Sequence, residues 1–395
     1  MLYLPNPMKT TSTSHITAFD TVRGLAALSV VFSHYIGAYG WPTKSAEIKQ
    51  AWTYTPLHIA WDGFAAVSLF YVLSGLVLSL KYFRETSQPD LAGYRLTDYL
   101  TSRVFRIWPP YLFVFILSYF LRRWVGYYDG QTIPRVNDWL FSTWNGSIPF
   151  VQLLREAFLI QANDYALVPQ GWTLPIELFI SFLVPVGILL ASRNTGWLIF
   201  ITLILIGPLG ASYYILHFAI GILLAKYHSA IRAWLEPRRA WKVIILLLGL
   251  FLYTFRYTLP VYFSWNLKAS IPWIVTGFGA ALLLIVVIAS ERARSILSIG
   301  FLRFIGRVSF SVYLLHFLVI IVLMTRVFHL LNLPATASAL GWWLGLTLTV
   351  LATLGLAALT HRFVELPSMA FGKSLPKRLA DWKLRHAKSQ PVSGK

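Results

Sequence analysis

The chain contains no cysteine. Disulfides, thiolate metal ligands and a catalytic thiol are therefore excluded, while the compartment stays open. Charge is also scarce. Asp, Glu, Lys and Arg make up 12% of the 395 residues, against 57% hydrophobic residues. That is about half the charged share of ordinary soluble domains and describes a polytopic membrane protein. Acidic groups are the scarcest, 15 against 34 Lys and Arg, for a formal charge of +19. The basic excess sits in short connections and at the C-terminus, so it orients helices in a bilayer rather than forming a nucleic-acid surface. The first apolar run lacks a clear small-x-small cleavage site, which predicts an uncleaved first span. Repeats, low-complexity tracts and a second soluble domain are missing as well.

What the chain does have is apolar runs long enough to cross a ~30 Å hydrocarbon core. They fall near 19–38, 62–82, 108–125, 172–192, 196–211, 212–228, 243–259, 271–290, 308–328 and 340–361. With the N-terminus inside, 25 of the 34 basic residues fall on the cytoplasmic side and nine outside, as the positive-inside rule requires. The expected fold is an all-α, polytopic transmembrane helical bundle of about ten spans, with both termini cytoplasmic. Residues 1–370 are its membrane domain and 371–395 a basic cytoplasmic tail. In that tail Leu375, Leu379 and Trp382 recur at helical spacing, predicting a short helix on the anionic inner leaflet. The long outer segment 126–171 contains VQLLREAFLIQ, too polar to span, which predicts an interfacial or re-entrant helix over the bundle.

Polar outliers in the spans are few. The stretch FDTVRGLAALSVVFSHY, Phe19 to Tyr35, holds Arg23 and His34 in an apolar helix. Eleven positions at about 100° each bring His34 within roughly 20° of the face of Arg23, about 16.5 Å farther along the axis. Ionisable residues at such depth mark a functional site by default; a snorkelling arginine and a histidine bonded to a neighbouring helix are the plainer reading. Arg103 and Arg106, in SRVFRIWPP, share a helix face before the third span. Paired guanidiniums suit phosphate groups, and the same spacing also serves topology marking. Ser74 and Gly75 sit mid-helix in FYVLSGL, where small residues favour close packing.

Glu177, in GWTLPIELF, lies about one turn into the fourth span from the outer surface, with Pro175 in the first turn. A carboxylate there orients a histidine, acts as a base or bonds a hydroxylic ligand, or else caps the helix dipole. Ser309, Tyr313 and His316 follow at intervals of four and three in VSFSVYLLHF, one polar stripe facing inward. Glu365, before Pro367, reads as a structural stop paired with an inner arginine. The nine histidines show no HxxxH ligand spacing, so no metal is expected.

Taken in order, these pieces resemble the acyltransferase-3 family of membrane O-acyltransferases over about residues 17 to 370. The matching pieces are Arg23 with His34, LFYVLSG at 69–75, Arg103 with Arg106, GWTLPIELF at 171–179, SVYLLH at 311–316 and VELP at 364–367. Ser68 stands where many members have Asp, and Leu366 replaces the Arg of a final Glu-Arg-Pro. The chain is expected to lack the esterase-like extracellular domain that some members append. The resemblance implies transfer of an acyl group, most often acetyl, from cytoplasmic acyl-CoA to a hydroxyl of a carbohydrate or lipid-linked glycan beyond the cell (inner) membrane. No cofactor is bound permanently and no nucleic acid is involved. Arg23, Arg103 and Arg106 would bind the donor. His34 and Glu177 would be catalytic, Glu177 entering from the outer side, with Ser74, Trp172, Ser309, Tyr313 and His316 in support. His34 is then either a general base or an acyl-accepting nucleophile. A proton-coupled transporter or flippase of lipid-linked sugars is the alternative, since Arg, His and Glu inside a bundle also build proton relays. The spans show no correspondence between halves that would favour it.

Overall fold

The computed structural model describes residues 7–83, 95–125, 144, 147–160, 165–258, 261, 263, 267–268, 270–330 and 339–388. Long apolar runs leave a backbone in hydrocarbon few ways to satisfy its own polar groups, and the helix is the simplest. Helices accordingly dominate, and no strand occurs among the described residues. In order they are α1 (Pro7–Tyr39), α2 (Ala46–Tyr54), α3 (Gly63–Leu80), α4 (Leu96–Val125) and α5 (Phe150–Ala157). Then come α6 (Thr173–Arg193), α7 (Thr195–Ile206), α8 (Tyr214–Leu235), α9 (Arg239–Tyr253) and α10 (Ser270–Ala289). Last are α11 (Glu291–Leu297), α12 (Gly300–Leu330), α13 (Ala339–Thr360) and α14 (Leu366–Lys388).

Among the described residues, seven stretches are long and apolar enough to cross a membrane: α3, α4, α6, α8, α10, α12 and the α13–α14 run. The other three of the ten expected spans are helical but do not meet that description. In α1 the apolar run is interrupted by Asp20, Arg23 and His34. The helices α7 and α9 hold 12 and 15 residues, only about 18 and 22 Å of length. A single π-helical turn, His361–Glu365, joins α13 to α14. The helix expected in the tail is thus the end of one that starts at Leu366, and the boundary expected at 370 falls inside it.

Two features position the site. The first is the crossing of α1 and α12. A Cβ on Gly306 would lie 2.7 Å from the backbone of Asp20, and one on Gly24 would lie 2.7 Å from the Gly306 nitrogen. The backbones touch, which no larger residue allows. Either side of this crossing, Thr21 Oγ1 donates to the Leu297 carbonyl at 2.8 Å and Tyr39 to that of Ile320 at 3.0 Å. Close packing also holds at Gly75, whose Cβ would collide with the Phe218 carbonyl of α8.

The second feature is the approach to α6. Of 126–171, residues 126–143, 145–146 and 161–164 lie outside the described residues. The helix expected in VQLLREAFLIQ is present as α5, amphipathic, with Phe150, Val151 and Leu154 exposed and Glu156 buried, while Tyr165, Leu167, Val168, Gln170 and Gly171 after it are sunk into the bundle. Trp108 and Tyr111, midway along α4, donate to the Ala157 and Glu156 carbonyls at 2.9 and 3.0 Å. The buried Glu156 carboxylate accepts from the Ala166 and Leu167 amides at 2.8 and 3.2 Å. Gln170, 2% exposed, donates to the Tyr313 and Leu314 carbonyls of α12 at 3.2 and 2.8 Å. A chain held this deep makes α6 begin inside the bundle.

Overpacking the α1–α12 contact should be felt at once. Gly306→Leu is expected to cost at least ~1–3 kcal/mol, seen as a lower Tm in detergent. Gly300→Ala, whose Cβ would meet nothing within 4 Å, is the control and should leave Tm unchanged.

Candidate active site

A cavity of about 290 Å³ opens among α1, α3, α4, α6, α12 and α14. Its polar lining comes from Asp20, Arg23, Ser74, Arg103, Arg106, Thr173, Glu177, Ser309 and Tyr313, and its apolar walls include Val67, Phe70, Val77 and Leu78. Each of the three guanidiniums has a carboxylate. Arg23 Nη1 lies 2.9 Å from Asp20 Oδ1, one turn back on α1. Arg103 Nη2 lies 3.3 Å from Glu177 Oε1. Arg106 Nη1 lies 3.2 Å from Glu365 Oε1, an ion-pair contact rather than an aligned hydrogen bond, and 2.9 Å from the Met369 sulfur. Glu365 is fully buried, and its Oε2 also takes Ser311 Oγ at 2.8 Å and His361 Nδ1 at 3.0 Å. This is the inner-arginine pairing its place in the sequence suggests.

Glu177 stands elsewhere than expected. Counting turns of α6 puts it near the outer surface, opposite the arginines. The structure instead bonds it to Arg103 and to Ser74 Oγ, the latter at 3.1 Å. The reason is the sunken approach to α6: its first turn already lies deep in the bundle. Trp172 does not join the cavity; its ring packs 6.2 Å from Tyr214 and 6.4 Å from Trp273.

His34 meets His316. The Nδ1 of His34 lies 2.8 Å from His316 Nε2, with the rings stacked at 4.9 Å. His316 is fully buried, and its own Nδ1 sits 3.3 Å from the Val312 carbonyl. A carbonyl accepts and never donates, so a neutral His316 carries its proton on Nδ1 and accepts at Nε2. His34 then donates from Nδ1, which leaves the basic lone pair of its ring on Nε2.

The histidine pair lies just beyond the cavity. Tyr313 stands between, its ring 5.9 Å from His316 and 5.5 Å from Phe70. Its hydroxyl donates to the Gln170 carbonyl at 3.0 Å and lies 2.7 Å from Thr173 Oγ1. Arg23, Arg103, Arg106, Ser74, Glu177, Ser309 and Tyr313 are thus brought to one cavity, with His34 and His316 behind it. Sequence reasoning missed Asp20 and Gln170. Asp20 was legible as an i,i+3 partner of Arg23; nothing around Gln170 announces a buried tether.

The family model of an acyltransferase domain, acyltransferase-3, matches residues 16–362. The chain belongs to the acyltransferase-3 family. That domain runs from α1 to the π-helical turn and contains Arg23, His34, Arg103, Arg106, Glu177 and His316. An O-acetyl transferase of Shigella phage Sf6 is 27% identical over 204 residues, 48% of this chain and 52% of the relative. The chain therefore spans about half the length of that curated relative. No solved structure matches it.

In this acyltransferase-3 chain, Glu365→Gln should lower stability by ~1–3 kcal/mol, since Arg106 and His361 lose a buried charged acceptor. Glu365→Asp, one methylene shorter, should recover part of the loss. Thermal unfolding in detergent reads both; two unchanged transitions would show that the cluster does not hold α4 to the π-helical turn.

Proposed function

We propose that this multi-pass membrane protein is an O-acyltransferase that moves an acyl group, acetyl first of all, from cytoplasmic acyl-CoA to a carbohydrate hydroxyl outside the cell (inner) membrane. One observation carries the reading: three guanidiniums, that of Arg23 on α1 among them, line one cavity, and His34, paired with His316 of α12, lies eleven residues beyond Arg23, about 16.5 Å of helical rise. A ligand with phosphates at one end and a thioester at the other fits that separation. Each guanidinium has five N–H donors, and the pairs described above leave several for phosphate oxygens. The match to the acyltransferase-3 domain supports the reaction class. The basic-residue asymmetry supports ten spans with both termini and the cavity mouth on the cytoplasmic side.

Two balanced routes follow from the tautomer argued above. In the first, His34 Nε2 takes the proton of the acceptor hydroxyl while its oxygen attacks the thioester carbonyl; the C–S bond breaks and the proton passes to the CoA thiolate. In the second, Nε2 attacks the carbonyl itself and CoA leaves as thiolate; the hydroxyl oxygen then displaces the imidazole from the acyl group, and the hydroxyl proton passes to the thiolate. His316 holds the His34 ring in either case.

His34→Gln keeps polarity and loses basicity, so purified protein fed acetyl-CoA and a glycan acceptor should lose ~10²–10⁴-fold in rate. Near-normal turnover would remove His34 from the chemistry. Arg103→Ala and Arg106→Ala should raise the donor KM at normal protein levels; an unchanged KM returns them to topology marking. Reporter fusions at residues 140 and 395 should lie on opposite sides of the membrane, and the same side for both would undo the sidedness assigned to the donor.

A further inference from the structure

Glu177 shows one oxygen to the protein and the other to the cavity. Its Oε1 takes both the Arg103 guanidinium and the Ser74 hydroxyl. Its Oε2 has no hydrogen-bond partner among the described residues. From α12, Ser309 also lines the cavity; its hydroxyl, in a residue 2% exposed, has no partner among the described residues either. The walls between are apolar, from Val67, Phe70, Val77 and Leu78. Both groups open onto the cavity, where a ligand can take the place of water as their partner.

The chemistry of the two groups narrows the ligand. A carboxylate oxygen accepts only, and it repels a second phosphate. A cation would suit it, but Arg103 and Arg106 share the cavity and disfavour further positive charge. What remains is a neutral N–H or O–H donor, and the group sought must also present an acceptor to the serine. The serine hydroxyl can donate to a carbonyl. An N–H and a C=O together make a secondary amide, and the pantetheine arm of an acyl-CoA or an acyl carrier protein carries two, between its phosphate and its sulfur. The order along the helices agrees. The arginines meet the phosphate end, and Ser309 is seven residues, about 10.5 Å of rise, before His316.

We propose that Glu177 and Ser309 form a subsite for a secondary amide of the donor's pantetheine arm. Glu177 is thereby a donor-recognition residue on the arginine side of the protein rather than an acid or base facing the acceptor. This rests on the acyl-transfer reading above. Three acetyl donors test it on purified protein: acetyl-CoA, S-acetylpantetheine, which keeps both amides and lacks phosphates, and S-acetyl-2-mercaptoethanol, which lacks both. Wild type should prefer S-acetylpantetheine over the amide-free donor by about tenfold or more in kcat/KM, the scale of one hydrogen bond to a charged group. Ser309→Ala, which leaves every ion pair intact, should reduce that preference several-fold through a higher KM for S-acetylpantetheine; Glu177→Gln should reduce the same ratio, read within the variant so that any general loss cancels. Arg103→Ala should instead penalise acetyl-CoA over S-acetylpantetheine. Acetyl carrier protein run beside acetyl-CoA tells which source supplies the arm, and the same Ser309 dependence on either supports the subsite. Equal loss on all donors, or a wild type without amide preference, overturns the subsite while acyl transfer stands. Failure of wild type to use any thioester overturns both.

Discussion

Three guanidiniums cannot be sunk among apolar helices unless each is given a counter-charge. The cost of burying an unpaired ion exceeds anything that helix packing returns locally. Here Asp20, Glu177 and Glu365 supply the charge from three different elements, α1, α6 and the π-helical turn. The pairings therefore do two things. They make the arginines tolerable in the absence of a ligand, and they fix where α6 and the end of α13 stand relative to α4. A phosphate entering the cavity meets cations that are already oriented, with donors to spare. Glu365 differs from the other two carboxylates: it is completely enclosed and holds Ser311 and His361 as well.

The depth of the chain before α6 changes the meaning of a motif. GWTLPIELF read as a helix start puts Glu177 near a membrane surface, because turns are counted from the last polar residue. Gln170 and the Glu156 carboxylate undo that count by anchoring the preceding segment to α12 and α5. Neither anchor has a local signature, since a tether to backbone carbonyls some 140 residues away leaves no pattern in its own neighbourhood. The helices themselves were legible, as were the shared face of Arg23 and His34, the stripe from Ser309 to His316 and the partner of Glu365. Those depend on spacing within one helix or on a charge in search of its opposite. The lengths of α7 and α9 were not, because a run of apolar residues says where hydrocarbon begins and not where the helix inside it stops.

Tyr313 sits where the two halves of the site meet. Its hydroxyl is bound to Gln170 and Thr173, and its ring separates the cavity from the histidine pair. A hydroxyl so placed closes the apolar end of a charged cavity without leaving a polar atom unsatisfied. The same residue thus secures the sunken segment and stands where the cavity meets the imidazoles.

The touching backbones of α1 and α12 have a further consequence for motion. Helices slide past one another on a layer of interlocked side chains that can change rotamer as they move. At Gly24 and Gly306 that layer is missing, so the two helices have nothing to shear on and travel as one body. A rearrangement that admits a large substrate is then expected from the other helices around the cavity, α3, α4, α6 and α14, with α1 and α12 as the spine.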